Sequence, residues 1–175
     1  MSDGLRQQVL ADLLPPNLWV VFCGTQAGAA SAAQGRYYAG RGNKFWHILP
    51  KIGLLPTGFD PCNYLELPKF GLGLTDVAQM TSGPDSALRS HHFDVAGFKR
   101  KISRAAPRFV AFNGKRAPSV VMKMPGTALR YGLQDIKIEQ SSVFVLPSTS
   151  GAANAHWNED PWFELARQLR EQSGI

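Results

Sequence analysis

Two apolar runs in this chain end in glycine-bracketed polar loops. Val20-Val21-Phe22-Cys23 leads into Gly24-Thr25-Gln26-Ala27-Gly28, and Val143-Phe144-Val145-Leu146 leads into Pro147-Ser148-Thr149-Ser150-Gly151. Strands of a parallel sheet that finish this way gather their loops at its carboxyl edge, where α/β proteins build their sites. The side chains on offer there have distinct capacities. Gln26 carries an amide that can orient a water but cannot take its proton. Asp76, closing Gly73-Leu74-Thr75-Asp76, carries a carboxylate that can do both and can also stabilise a developing cation. Tyr38 can stack on a planar ligand, and Asn113 can hydrogen-bond the edge of one. Plainer readings stand beside each: Gln26 closing its own loop, Asp76 capping a following helix, Tyr38 packing within its loop, and Asn113-Gly114 making a turn.

The elements that would position these residues follow from apolar patterning. Leu5, Val9, Leu10 and Leu13 recur at helical spacing and predict an amphipathic helix ending before Pro15-Pro16. Residues 18–23 read as a buried strand, residues 24–42 as a long glycine-studded loop, and Asn43 as the opening of a short helix with Phe45, Trp46 and Leu49 inward. Residues 56–70 read as irregular, 71–77 as a turn-rich passage and 82–92 as an exposed polar loop. A basic helix follows, with Val95, Phe98 and Ile102 on its apolar side and Lys99, Arg100, Lys101 and Arg104 read as a solvated face. Residues 108–112 and 143–146 read as further strands. A helix starts at Lys115, and Asp160-Pro161 opens a last one buried through Trp162, Leu165, Ala166 and Leu169. Strands alternating with helices predict one domain over residues 1–175: a three-layer α/β/α fold with a central, mainly parallel sheet.

Composition narrows the classes. At 175 residues, with 44% hydrophobic and 18% charged residues, the chain has ordinary globular make-up. Nineteen Lys and Arg against thirteen Asp and Glu leave a net charge of +6 and a pI near 9.6, an excess suited to phosphate backbones or other anionic surfaces. Cys23 and Cys62 are too few for a disulfide framework, and the four histidines show no metal-ligand spacing with them. A bound metal is therefore not expected. No apolar span reaches 18 residues and no secretory leader is evident, so the expectation is a soluble cytoplasmic protein away from membranes. The Gly-x-Ser-x-Gly elbow of α/β hydrolases and the Walker lysine pattern of nucleotide hydrolases are both missing.

Taken in order, Val20–Gly28, Gly35-Arg36-Tyr37-Tyr38-Ala39, Asn43-Lys44-Phe45-Trp46, Gly71–Val77, Phe109–Lys115 and Val143–Gly151 resemble the mismatch-specific uracil/thymine DNA glycosylases. Gln26 stands where those enzymes usually carry the asparagine that positions the attacking water. Some relatives carry an aspartate at the point of Asp76 and use it to activate that water. The resemblance implies the α/β/α fold, cofactor-free hydrolysis of a mismatched or damaged pyrimidine, and a flipped-out base held in a pocket. Gln26 and Asp76 would share the water, Tyr38 would stack on the base, and Asn113 and the backbone near Ala27 would bond its edge.

Ser148-Thr149-Ser150-Gly151 resembles the Asn-Pro-Ser-Gly loop that enters the duplex where the base has left. Ser148 replaces its asparagine, Thr149 its proline, and Ala152 a larger apolar wedge. Arg41, Lys44, Lys115, Ser148, Ser150, Gly151, Ala152 and Asn154 would form the DNA-facing edge. The implied partner is double-stranded DNA holding uracil or a mismatch, engaged by a nucleoid-associated monomer that leaves an abasic site. The competing reading is a protein that binds a lesion or abasic site with little or no turnover.

Overall fold

Strand β1 (Val20–Gly24) is buried along its whole length, and only a sheet covered on both faces can bury such a run. The computed structural model describes residues 7–173. It surrounds β1 with β2 (Leu72–Asp76), β3 (Phe109–Asn113), β4 (Gly132–Ile138) and β5 (Ser141–Leu146) in the order β2-β1-β3-β5-β4. All are parallel except β4, which pairs antiparallel with β5 at the edge. The chain passes outward from β1 to β2 and then crosses back to β3. This reversal of strand order opens a crevice at the carboxyl ends of β1 and β3.

Side-chain alternation along the strands divides the core into two layers. Val20, Phe22, Phe109, Ala111, Phe144 and Leu146 face α2 (Phe45–Lys51) and α5 (Asp160–Ser173) through Phe45, Ile48, Leu49, Trp162 and Leu165. Val21, Cys23, Val110, Phe112 and Val143 face α3 (Val95–Ala105) and α4 (Arg116–Met122) through Phe98, Ile102, Ala117 and Val121. The three-layer α/β/α architecture expected from the strand–helix alternation is present.

Trp162 links this core to the second loop. It is fully buried, stacks on Phe22 with ring centres 5.8 Å apart, and donates its indole N–H to the Pro147 carbonyl at 3.2 Å. Trp162→Ala is expected to destabilise the fold by about 3–5 kcal/mol, read by urea unfolding, because the void cannot collapse between a sheet and a helix.

Several local expectations are corrected. Residues 7–14 are not helical; Leu13 forms an isolated antiparallel bridge with Leu74, while Leu5 lies outside the described residues. The apolar spacing there reflects packing of an extended segment beside β2. The long first loop holds a short helix, α1 (Ala29–Gln34), closed by Gly35 at φ +66°. Alanines build it without the apolar stripe that marks a helix in sequence.

The passage read as turn-rich is β2. A Cβ on Gly73 would stand 2.6 Å from the Leu13 carbonyl oxygen, so the glycine there marks close backbone approach within a strand. Residues 61–70 form 3-10 turns, and the segment 82–92 contains two more, anchored by buried Leu88. Edge strand β4 lacks a sequence signal because Ile138 alone is buried in it. Among the described residues, no helix is long and apolar enough to cross a membrane.

Candidate active site

The loops after β1, β2, β3 and β5 enclose a cavity of about 540 Å³, a size typical of small-ligand sites. Asp76 is the last residue of β2, paired in register with Gly24, and only 5% exposed. Burial is the largest influence on its carboxyl group, raising its pKa to about 7. The negative charge of Asp12 raises it further, as Asp85 does more weakly, whereas Lys101 and a hydrogen bond from the Gly24 backbone lower it. A Cβ on Gly24 would collide with this carboxylate, so the absence of a side chain there is what lets Asp76 face the cavity. Its position at a strand end removes the helix-capping alternative.

Behind Asp76, on the other side of β2, lies a polar cluster that the sequence did not signal. The Asp12 carboxylate accepts from the Thr75 hydroxyl at 2.6 Å, from the Lys101 ammonium at 2.9 Å and from the Gln79 amide. Lys101 also donates to Gln79 and, at 3.3 Å, to Thr75. Lys101 is therefore not part of the solvated basic face; it is a partly buried counter-charge. Partners 89 residues apart in sequence leave no local pattern to find.

Gln26 lines the cavity, with its carboxamide committed to the opposite wall. Its amide donates to the carbonyls of Gly83 and Pro84, both at 3.0 Å, and its oxygen accepts from Thr81 at 2.7 Å. Ala27 continues the brace by bridging to Ser82, with the Gly83 N–H on its carbonyl. Asn113 closes a reciprocal pair with Thr149: its amide donates to the hydroxyl at 2.8 Å, and its oxygen accepts from the Thr149 N–H at 2.9 Å. A second amide N–H remains for a ligand.

Tyr38 stacks on Phe45 with ring centres 4.0 Å apart and holds the left-handed backbone conformation, φ +54°. Such a φ is costly for a bulky residue and accumulates at functional sites. Its hydroxyl is buried without a hydrogen-bond partner, which costs about 1–3 kcal/mol.

The rim gathers several of the residues expected to meet DNA. Ser148, Ser150, Ala152, Lys115 and Arg116 line the cavity mouth, as does Asp85, which sequence reasoning did not select. The Lys44 ammonium contacts the Asn154 side-chain oxygen and lies 5.3 Å from the centre of the Trp157 ring, and the Lys44 N–H donates to the Thr149 carbonyl. Gly151 packs against the backbone of Arg41 and Gly42, where a Cβ would meet the Arg41 carbonyl at 3.4 Å. Lys115 sits 4.4 Å over the Tyr131 ring. The Ser150 hydroxyl accepts from the Ala152 N–H at 3.3 Å, shaping the turn, and Ala152 is exposed. The structure thus brings the first and second loops together and joins Arg41, Lys44, Gly151 and Asn154 along one seam.

Comparison with known proteins agrees with this architecture. A solution structure of a candidate uracil DNA glycosylase from Methanosarcina acetivorans superposes with a TM-score of 0.63 at 22% identity, covering 94% of this chain and 96% of that one. The family model of the uracil DNA glycosylase superfamily, whose members are glycosylases acting on DNA, matches residues 11–169. That match includes all five strands and every loop around the cavity, and the chain belongs to the uracil DNA glycosylase superfamily.

Proposed function

We propose that this protein is a monofunctional glycosylase that hydrolyses the N-glycosidic bond of uracil in double-stranded DNA, with G·U pairs as its natural substrate and an abasic site as product. The observation that carries this reading is a single buried carboxylate, Asp76, on the floor of a base-sized cavity in a superfamily of DNA glycosylases. Bond cleavage places positive charge on the sugar and negative charge on the departing base. Ionised Asp76 opposes the first charge and accepts a proton from the attacking water.

Asn113 has an amide N–H to offer the base oxygen, and the Tyr38 ring offers a stacking surface. Arg41, Lys44, Lys115 and Arg116 meet phosphates on either side of the extruded nucleotide, and the 148–154 loop enters the duplex. Thymine, with its extra methyl group and poorer leaving ability, is the lesser substrate. The motif likeness to the mismatch-specific enzymes supports a mismatched duplex as substrate, and cofactor-free action by a monomer on nucleoid DNA fits the same chemistry.

Asp76 carries the water in this reading, whereas Gln26 holds the wall formed by Thr81–Pro84. Gln26→Ala is expected to leave the single-turnover rate within about tenfold of wild type, a barrier change of about 1.4 kcal/mol or less. Stability should fall by about 1 kcal/mol for each of the hydrogen bonds lost. A rate loss as large as that of an Asp76 variant would instead return the water to Gln26.

The deciding experiment is single-turnover excision with enzyme in excess on duplex DNA bearing one G·U pair, read as alkali-labile strand breaks. Product from wild type establishes the enzyme. The small, exposed Ala152 and the committed Gln26 amide favour one alternative, a lesion-binding protein. Absence of product together with tight, specific retention of uracil or abasic duplex would establish that alternative.

A further inference from the structure

The Tyr38 hydroxyl is the buried side-chain polar group left without a partner among the described residues. Native proteins rarely tolerate such a group without a use for it. Its surroundings are specific. A Cβ placed on Gly24 would lie 3.5 Å from the Tyr38 oxygen and would clash with the Asp76 carboxylate, so both oxygens border the same small space over Gly24. The Asn113 carboxamide approaches the phenol oxygen closely enough to lower its pKa as a hydrogen-bonding neighbour does, while its well-formed bonds go to Thr149. The aromatic ring is fixed independently, by its stack on Phe45 and by the left-handed backbone. Stacking on a base needs only the ring, so stacking does not explain the hydroxyl.

We infer that the Tyr38 hydroxyl and the Asp76 carboxylate together hold the attacking water, making Tyr38 a second water-binding residue of the reaction. This role rests on the glycosylase reading and adds to it. The water donates one O–H to Asp76 and the other to the Tyr38 oxygen, which aims its lone pair at the anomeric carbon. As the new C–O bond forms, the C–N bond breaks with its electron pair leaving on the base, and the water proton passes to Asp76. Tyr38 keeps its own proton throughout, because burial and the nearby Asp76 raise the phenol pKa well above its usual value. Asp76 is the base; Tyr38 sets the direction of attack.

Tyr38→Phe removes the hydroxyl and retains the ring. Three measurements on this variant separate the roles: single-turnover excision of uracil from a G·U duplex, equilibrium binding of that duplex, and thermal unfolding. The expected result is an excision rate about 10–100-fold lower, binding within twofold of wild type, and a melting temperature equal to or above it. A hydroxyl that was merely an unsatisfied packing atom would give the higher melting temperature with an unchanged rate, and that outcome overturns the inference. If wild type itself yields no product, the glycosylase reading fails first and this role falls with it.

Discussion

Asp76→Asn is expected to lower single-turnover uracil excision by about a thousandfold, the span of a well-placed general base. The wild-type rate should fall about tenfold per pH unit below the carboxyl pKa of about 7 and level off above it, since the ionised form is the active one. In the variant this acid limb should vanish. A pH–rate profile of both proteins checks the assignment, and an unchanged limb in Asp76→Asn would remove Asp76 from the mechanism.

Stability should move the opposite way. The folded carboxyl group titrates near 7 rather than at the ordinary 3.8, so between those values the folded state binds the proton more tightly than the unfolded state does. Stability therefore falls as pH rises through this window. Above it, the ionised carboxylate costs about 4 kcal/mol. Asparagine removes that charge at the cost of burying its own amide. Asp76→Asn should therefore be more stable than wild type by about 2 kcal/mol at pH 8 and less stable by about 2 kcal/mol at pH 4, where the buried amide still costs and no charge is relieved. Urea unfolding at the two pH values reads the difference.

Gly24→Ala should damage the reaction without removing any reacting group. The added methyl would occupy the space over which Asp76 and Tyr38 meet and would push the carboxylate aside. A displacement on the order of 1 Å in a catalytic group is worth about 100-fold in rate. Excision should fall by that amount while an acid limb persists, because a carboxylate still titrates in the site. A normal rate would show that the water lies elsewhere in the cavity.

How much of this was legible in sequence follows from how each signal arises. Strands β1, β3 and β5 are continuous apolar runs, and α3 and α5 carry apolar faces at helical spacing; their burial pattern is their sequence pattern. Strand β2 was obscured by its own glycine. Gly73 looks like a turn residue until the Leu13 carbonyl is seen to need its space. The segment of residues 7–14 misled in the other direction, since apolar side chains spaced for a helix serve equally well in an extended arm packed beside β2.

The residues around the cavity could be singled out by resemblance and by chemical type. Three of their features could not: the burial of Asp76, the Asp12–Lys101 pair behind it, and the commitment of the Gln26 amide to residues 81–84. Each depends on contacts between distant stretches of the chain. An amide or a carboxylate has the same letter whether its hydrogen bonds are spent or free.

The seam between the first and second loops has one further consequence. Gly42 against Gly151, Lys44 against Thr149 and Asn154, and Asn113 against Thr149 tie the walls to each other before any nucleic acid arrives. A mouth assembled in this way selects by gauge rather than by grip. The ordering cost is met during folding instead of at each encounter, so on the glycosylase reading a base of the right outline would enter at little entropic expense. A base that is too wide meets walls that cannot yield separately.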